Sequence, residues 1–241
     1  MKQIKILSTR KLDPSLHTKA DQENFLLVEE NLIRTHFKKD KETVEKVFEA
    51  LDGGISNIVF TSSNSVRALE LIVKQEHKEL KWKNIFSLAG KTKDAVLKSF
   101  GENNVQAEGI NAEELANHIV ASGAKEIVFF CGNKRRDQLP AILSAAGITC
   151  IEVIVYETEE SPKKMDDDFD AVLFFSPSAV SSFFRYNQLS EHTACFSIGE
   201  TTAESLKEHG ITNIIVSPFP QEEKIFETLI NHFKKQENSG L

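Results

Sequence analysis

The chain has 241 residues, a formal net charge of −7, and 40% apolar and 27% charged side chains. That is the composition of an ordinary soluble globular protein, long enough for one large domain or two small ones. The acidic balance argues against a general nucleic-acid binder, and no apolar run approaches membrane-spanning length.

Met1–Arg10 enters a strand directly rather than a signal peptide, so a cytoplasmic protein with no membrane partner is expected. Cys131, Cys150 and Cys195 lie in or beside apolar strand-like runs without CxxC spacing, which reads as buried thiols. The histidines are scattered with no HxH or HExxH pattern, so no metal is assigned.

Lys2–Ser8 reads as a short strand. Arg10 stands just past it, placed either to meet an anion or to be a solvated loop cation. Asp13–Glu23 reads as a helix with Pro14 at its start, Phe25–Val28 as a strand, and Asn31–Phe37 as extended. The polar run Lys38–Glu42 is a first candidate boundary. Glu42–Leu51 then places Val44, Val47, Phe48 and Leu51 on one helical face, and Gly53-Gly54 stops it. Strand Ile58–Phe60 and its helix follow, then a charged loop over Gln75–Lys83 and strand Ile85–Ala89. Helix Thr92–Phe100, a strand near Val105, helix Ala112–Ala121 capped by Asn111 and strand Glu126–Phe130 complete this stretch.

Cys131-Gly132-Asn133-Lys134-Arg135-Arg136-Asp137 is the most polar strand-to-helix turn in the chain. Gly132 allows close backbone approach, and three cations follow at once. Cations at a helix start are locally unfavourable, so the turn reads either as an anion cradle or as a capped start with solvated charges. Helix Gln138–Ala146 and a long extended run, Ile148–Val155, lead into Tyr156-Glu157-Thr158. Glu159–Asp168 is a second polar, Pro-containing boundary. Strand Ala171–Phe175, a helix opened by Ser176-Pro177-Ser178, strand Ala194–Ile198, helix Thr202–His209, strand Asn213–Val216 and helix Gln221–Lys234 finish the chain before the tail Gln236–Leu241. Strands alternating with helices predict an α/β fold with parallel sheets, in two small flavodoxin-like halves.

The halves echo each other. Aligning Ser62 with Ser176 also aligns Phe60 with Phe174 and Val66 with Val180, and a Gly-x-Thr turn follows each copy at Gly90 and Gly199. Small hydroxyl residues therefore recur at strand ends: Thr61, Ser62, Ser63 and Thr92 in one half, Ser176, Ser178, Thr201 and Thr202 in the other. Each alone reads as a helix cap. Their joint recurrence, were the two sheets to face each other, suggests a cleft rich in neutral donors. Dinucleotide, P-loop and nucleophile-elbow motifs are missing, as is an obvious acid pair, so the chemistry should need little beyond shape, hydrogen bonds and one proton donor.

These residues resemble the uroporphyrinogen-III synthase family. The matches run in order: Phe60-Thr61-Ser62 with Val66, Gly90 and Thr92, Cys131-Gly132-Asn133 with Leu139-Pro140, Val155–Thr158, Phe174–Val180, and Ile198–Ala203. Glu200 departs from the proline often found between Gly and Thr-Thr, and the region after Arg10 matches poorly. The resemblance implies two α/β domains joined by a two-stranded linker, residues 1–36 with 159–241 forming one and 37–158 the other. It also implies a cofactor-independent enzyme that closes the linear tetrapyrrole hydroxymethylbilane with inversion of its last ring and loss of water. Hydroxyl and backbone donors would hold the substrate's carboxylates: Arg10, Thr61, Ser62, Ser63, Thr92, Gly132, Asn133, Lys134, Ser176, Ser178, Thr201 and Thr202. Tyr156 would donate the proton to the leaving hydroxyl, since a phenol donates while neutral; otherwise it packs in the linker. A monomer is the default. The alternative reading is a non-catalytic two-domain α/β module for a small ligand, with a two-domain glycosyltransferase as a further rival.

Overall fold

Short apolar runs bounded by polar turns become strands, and amphipathic runs become helices, in the computed structural model of the chain. It describes residues 3–78 and 84–238. Lys2 of the first expected strand, the 79–83 part of the charged loop and the tail from 239 lie outside the described residues. In chain order the elements begin with β1 (Ile4–Ser8), α1 (Pro14–Gln22), β2 (Phe25–Glu29), β3 (Ile33–Phe37), α2 (Lys41–Asp52), β4 (Asn57–Phe60) and α3 (Ser63–Gln75). They continue with β5 (Asn84–Leu88), α4 (Lys91–Phe100), β6 (Val105–Gly109), α5 (Ala112–Ala121), β7 (Glu126–Gly132), α6 (Gln138–Ala145) and β8 (Thr149–Glu160). The last are β9 (Ala171–Phe174), α7 (Pro177–Phe184), β10 (Ala194–Ser197), α8 (Glu200–Glu208), β11 (Ile214–Val216) and α9 (Glu222–Asn238).

Local chemistry sets the helix starts. Asp13, Asp40, Ser62, Asn111 and Ser176 each accept a backbone N–H from the first turn of α1, α2, α3, α5 and α7, satisfying donors that have no partner within the helix. Gly90 opens α4 at φ +70°, a conformation open to glycine and strained for other residues.

The chain forms two compact units, Met1–Arg34 with Glu159–Leu241, and Thr35–Thr158. It is an α/β fold with two parallel-dominated sheets. The first unit has a five-stranded sheet in the order β11-β10-β9-β1-β2, with every described pairing parallel. Numbered within the unit, this is the flavodoxin order 2-1-3-4-5. The second has a six-stranded sheet in the order β3-β8-β7-β4-β5-β6. Leaving β3 aside, its parallel strands read 3-2-1-4-5, so this half departs from the flavodoxin order expected of both. The difference lies in the crossovers. β4, β5 and β6 step twice in one direction before the chain returns across β4 to β7. In the first unit the chain steps once, from β1 to β2, and comes back to place β9 against the open edge of β1. The chain passes between units within β3 and β8, neighbours in the six-stranded sheet, slightly ahead of the polar run at Lys38.

Each sheet is covered on both faces. In the second unit Phe60, Val66, Leu69 and Phe130 form the core on one side, and Phe86, Phe129, Leu115 and Leu143 on the other. In the first, Ile6, Leu173, Phe196 and Phe226 pack on one side and Leu7, Phe174, Phe183 and Leu206 on the other. Sheets buried on both faces explain why β4, β7, β9 and β10 read as continuous apolar runs rather than alternating ones.

Candidate active site

In the second unit the strand order reverses between β4 and β7. β4 continues to β5 on one side, and β7 continues to β8 on the other. The turns leaving such a pair diverge at their carboxyl ends and open a crevice there. A cavity of about 390 Å³ occupies this place. Thr61 and Ser62 after β4, Gly132 and Lys134 at the end of β7, and Tyr156 of β8 line it. All five are among the residues to which the sequence points. Leu88, Ile110, Arg135, Arg136 and Gln138 also line it. Ile110 carries no signal in sequence, because a single apolar residue in a loop looks like any other. Here it is 81% exposed while its backbone N–H is tied to the Glu114 carboxylate at 2.7 Å.

Tyr156 is placed by the register of its own strand. The register between β7 and β8 is regular from Glu126↔Thr149 to Cys131↔Ile154, then shifts so that Gly132 pairs with Tyr156. The extra residue, Val155, is a β-bulge, which re-aims the side chain that follows it. A Cβ on Gly132 would stand 2.8 Å from the Tyr156 phenol oxygen and closer still to ring carbons Cε2 and Cζ. The phenol therefore lies across the glycine. The Ser62 hydroxyl lies beside it, and the same oxygen caps α3 by accepting the Asn64 N–H at 3.2 Å. Burial raises the Tyr156 pKa above its ordinary value of 10.0, with the neighbouring Ser62 hydroxyl acting the other way. The phenol thus holds its proton throughout the physiological range.

Arg135 donates to both Glu152 and Asp137, and these pairings raise its pKa. One of the three cations of the expected anion cradle is therefore already matched by two carboxylates, which accounts for its place at a helix start. Beneath it, burial pushes the Cys131 thiol up to about 12 and Cys150 to about 11, so both stay protonated and unreactive. All three cysteines are free thiols.

The remaining candidates are distributed as follows. Ser63 begins α3, and Thr92 is buried in the first turn of α4. Asn133 is turned to Thr158, whose N–H it accepts at 2.8 Å and whose carbonyl receives its amide at 3.4 Å. In the first unit Arg10 follows β1, the centre of that sheet's own reversal. Its guanidinium lies 4.1 Å from the Phe175 ring centroid and donates to Glu222. Glu222, 8% exposed, also accepts the Asp13 N–H, so Arg10 is part of a local ion pair. Ser176 caps α7 through the Ala179 N–H at 3.2 Å, with Ser178 in the first turn of α7 and Thr201 and Thr202 in that of α8. Among the described residues, no three His, Cys, Asp or Glu side chains group as a metal site, and no helix is long and apolar enough to cross a membrane.

A family model described as Uroporphyrinogen-III synthase HemD matches residues 15–227. The chain belongs to the uroporphyrinogen-III synthase family. This is a family of enzymes of porphyrin and heme biosynthesis. A curated relative, the uroporphyrinogen-III synthase of Saccharomyces cerevisiae, is 26% identical over 228 residues, 81% of this chain and 82% of that protein. The fold is similar to a mutant uroporphyrinogen III synthase from the extremely thermophilic bacterium Thermus thermophilus, with a TM-score of 0.70, 15% identity and coverage of 96% of this chain and 99% of that one. It is also similar to uroporphyrinogen-III synthetase from Helicobacter pylori, with a TM-score of 0.67, 18% identity and coverage of 95% and 99%.

Proposed function

We propose that this chain is a uroporphyrinogen-III synthase that cyclises hydroxymethylbilane with inversion of the last pyrrole ring and release of water. Family, curated relative and solved structures all point this way, and the non-catalytic binding module is not favoured. The observation that carries the mechanism is the neutral, partly buried phenol of Tyr156 in a cavity lined by hydroxyl groups and cations.

In this reading Tyr156 donates its proton to the terminal hydroxyl, which leaves as water. The azafulvene so formed is attacked by the substituted carbon of the far ring. The resulting spiro intermediate breaks and recloses with that ring turned over, and a proton is lost. One proton enters, one leaves, and no electrons are exchanged, so the reaction is a cofactor-independent lyase step. Spontaneous closure gives the uninverted isomer, so most of the work is holding one folded conformer, which lowers the entropic part of the barrier. Thr61, Ser62, Ser63, Thr92 and Lys134 of the second unit, and Arg10, Ser176, Ser178, Thr201 and Thr202 of the first, are proposed to hold substrate carboxylates, while Gly132 and Asn133, expected from the sequence to join them, are taken up below. The architecture belongs to the same proposal: two flavodoxin-like domains, 1–36 with 159–241 and 37–158, joined by a two-stranded linker. The strand order of the first unit supports the flavodoxin description directly; the second shares its layers and parallel strands but not its order. A cytoplasmic monomer acting without nucleic acid or membrane completes the reading.

Incubation of the purified protein with freshly generated hydroxymethylbilane, followed by oxidation and chromatographic separation of the porphyrin isomers, tests this directly. A predominance of isomer III is expected. Isomer I at the rate without enzyme would remove the reading.

A further inference from the structure

Two short motifs separated by more than twenty residues of chain meet in one place. Gly132 ends β7 and Asn133 follows it, and Tyr156 to Thr158 lie opposite them on β8. The side of Gly132 that a methyl group would fill is occupied by the Tyr156 ring. The Asn133 N–H donates to the Tyr156 carbonyl at 3.2 Å. The Asn133 side chain then closes a two-sided amide pair on Thr158, two residues further along β8. The backbone on which the phenol is mounted is thus gripped at Tyr156 and just beyond it, where the bulge has broken the regular ladder. One lone pair and one N–H of this side chain are thereby committed to the neighbouring strand.

We propose that Gly132 and Asn133 are positioning residues for Tyr156: the glycine makes the bed for the phenol, and the asparagine holds the bulged strand that aims it into the cavity. This rests on the reading of Tyr156 as proton donor, and it reassigns both residues from carboxylate binding. A positioning residue acts through the group it positions, so its loss should not matter once that group is gone.

The chain has two tyrosines, Tyr156 and Tyr186, so a Tyr186→Phe background leaves one phenol to follow by alkaline difference absorbance. In that background Gly132→Ala and Asn133→Ala are expected to lower the Tyr156 titration midpoint, because a displaced ring loses the burial that raises it. Both should lower kcat about ten-fold with KM little changed, the scale of losing one proton donor. Asn133→Asp keeps the acceptor for the Thr158 N–H and should recover much of kcat. Added to Tyr156→Phe, neither substitution should lower kcat further.

An unmoved midpoint in Asn133→Ala would overturn the inference, whatever becomes of Gly132→Ala in folding. So would a raised KM that persists in the Tyr156→Phe background, which is the behaviour of a carboxylate cradle. If Tyr156→Phe itself turned over normally, the proton-donor reading would fail, while the titration would still decide whether Gly132 and Asn133 hold the phenol.

Discussion

The Tyr156 ring lies where Gly132 would carry a side chain, and the phenol oxygen stands 2.8 Å from the Cβ position that glycine leaves vacant. A strand end and a tyrosine distant in sequence are in this way made one feature. The β-bulge at Cys131/Gly132 brings the residues opposite each other, and the absent side chain lets them touch. What the phenol faces, Ser62 and a cavity at the reversal of strand order, follows from that placement.

Removing the phenol oxygen should therefore be felt in the chemical step. Tyr156→Phe is expected to lower kcat by about ten-fold or more, within the range for general acids, with KM little changed and isomer III still dominant. Steady-state rates with isomer analysis measure this. Unchanged turnover would leave conformer selection as the whole mechanism.

Ser176 offers a separation of capping from binding. Ser176→Ala should cost about 1 kcal/mol of stability through loss of the α7 cap, read by urea unfolding. Ser176→Asn keeps a capping oxygen and should restore most of it. If Ser176 also holds a substrate carboxylate, KM stays raised in both variants. A KM that recovers with the cap would make it a cap alone.

Arg10 and Glu222 should be coupled in stability. Glu222 accepts from both Arg10 and the Asp13 backbone, so Arg10→Ala leaves a nearly buried carboxylate short of a partner. A loss of about 1–3 kcal/mol is expected, on the scale of hydrogen bonds to charged groups. Because the Arg10 side chain is itself 36% exposed, the lower part of that range is expected. The double variant with Glu222→Gln should lose less than the sum of the single losses.

The buried thiols predict an alkaline limit to stability. Burial raises Cys131 and Cys195 from 9.0 to about 12, and Cys150 to about 11. The folded chain therefore binds more protons than the unfolded one at high pH. Their contribution is intact below about pH 9 and is lost as pH rises towards 12. Under reducing conditions the unfolding midpoint should fall across that window. Cys195→Ala, compared with its own midpoint at neutral pH, should fall less steeply.

Local and near-local rules made most of the fold legible in the sequence. The apolar run Ala171–Phe174 is a fully buried strand, Asn111 and Ser176 cap the helices they precede, and Phe60 and Phe174 occupy equivalent buried places in the two units. Such features depend on period, cap chemistry and turn residues, all of which a chain carries within a few residues of where they act. The family resemblance was legible for the same reason, as short motifs in a fixed order, and Tyr156, which stands in one of them, lines the cavity. Tertiary structure alone decided the order of the strands, because nothing in β4–β5–β6 states that the second crossover should continue outward. It also decided that Arg135 pairs with Glu152, that Arg10 pairs with Glu222, and that Gly132 lies against Tyr156 and the Asn133 side chain against Thr158. Each of these is a pairing of residues far apart along the chain. Its partner is chosen by which strand ends lie side by side once the sheet has closed, and no local pattern holds that information.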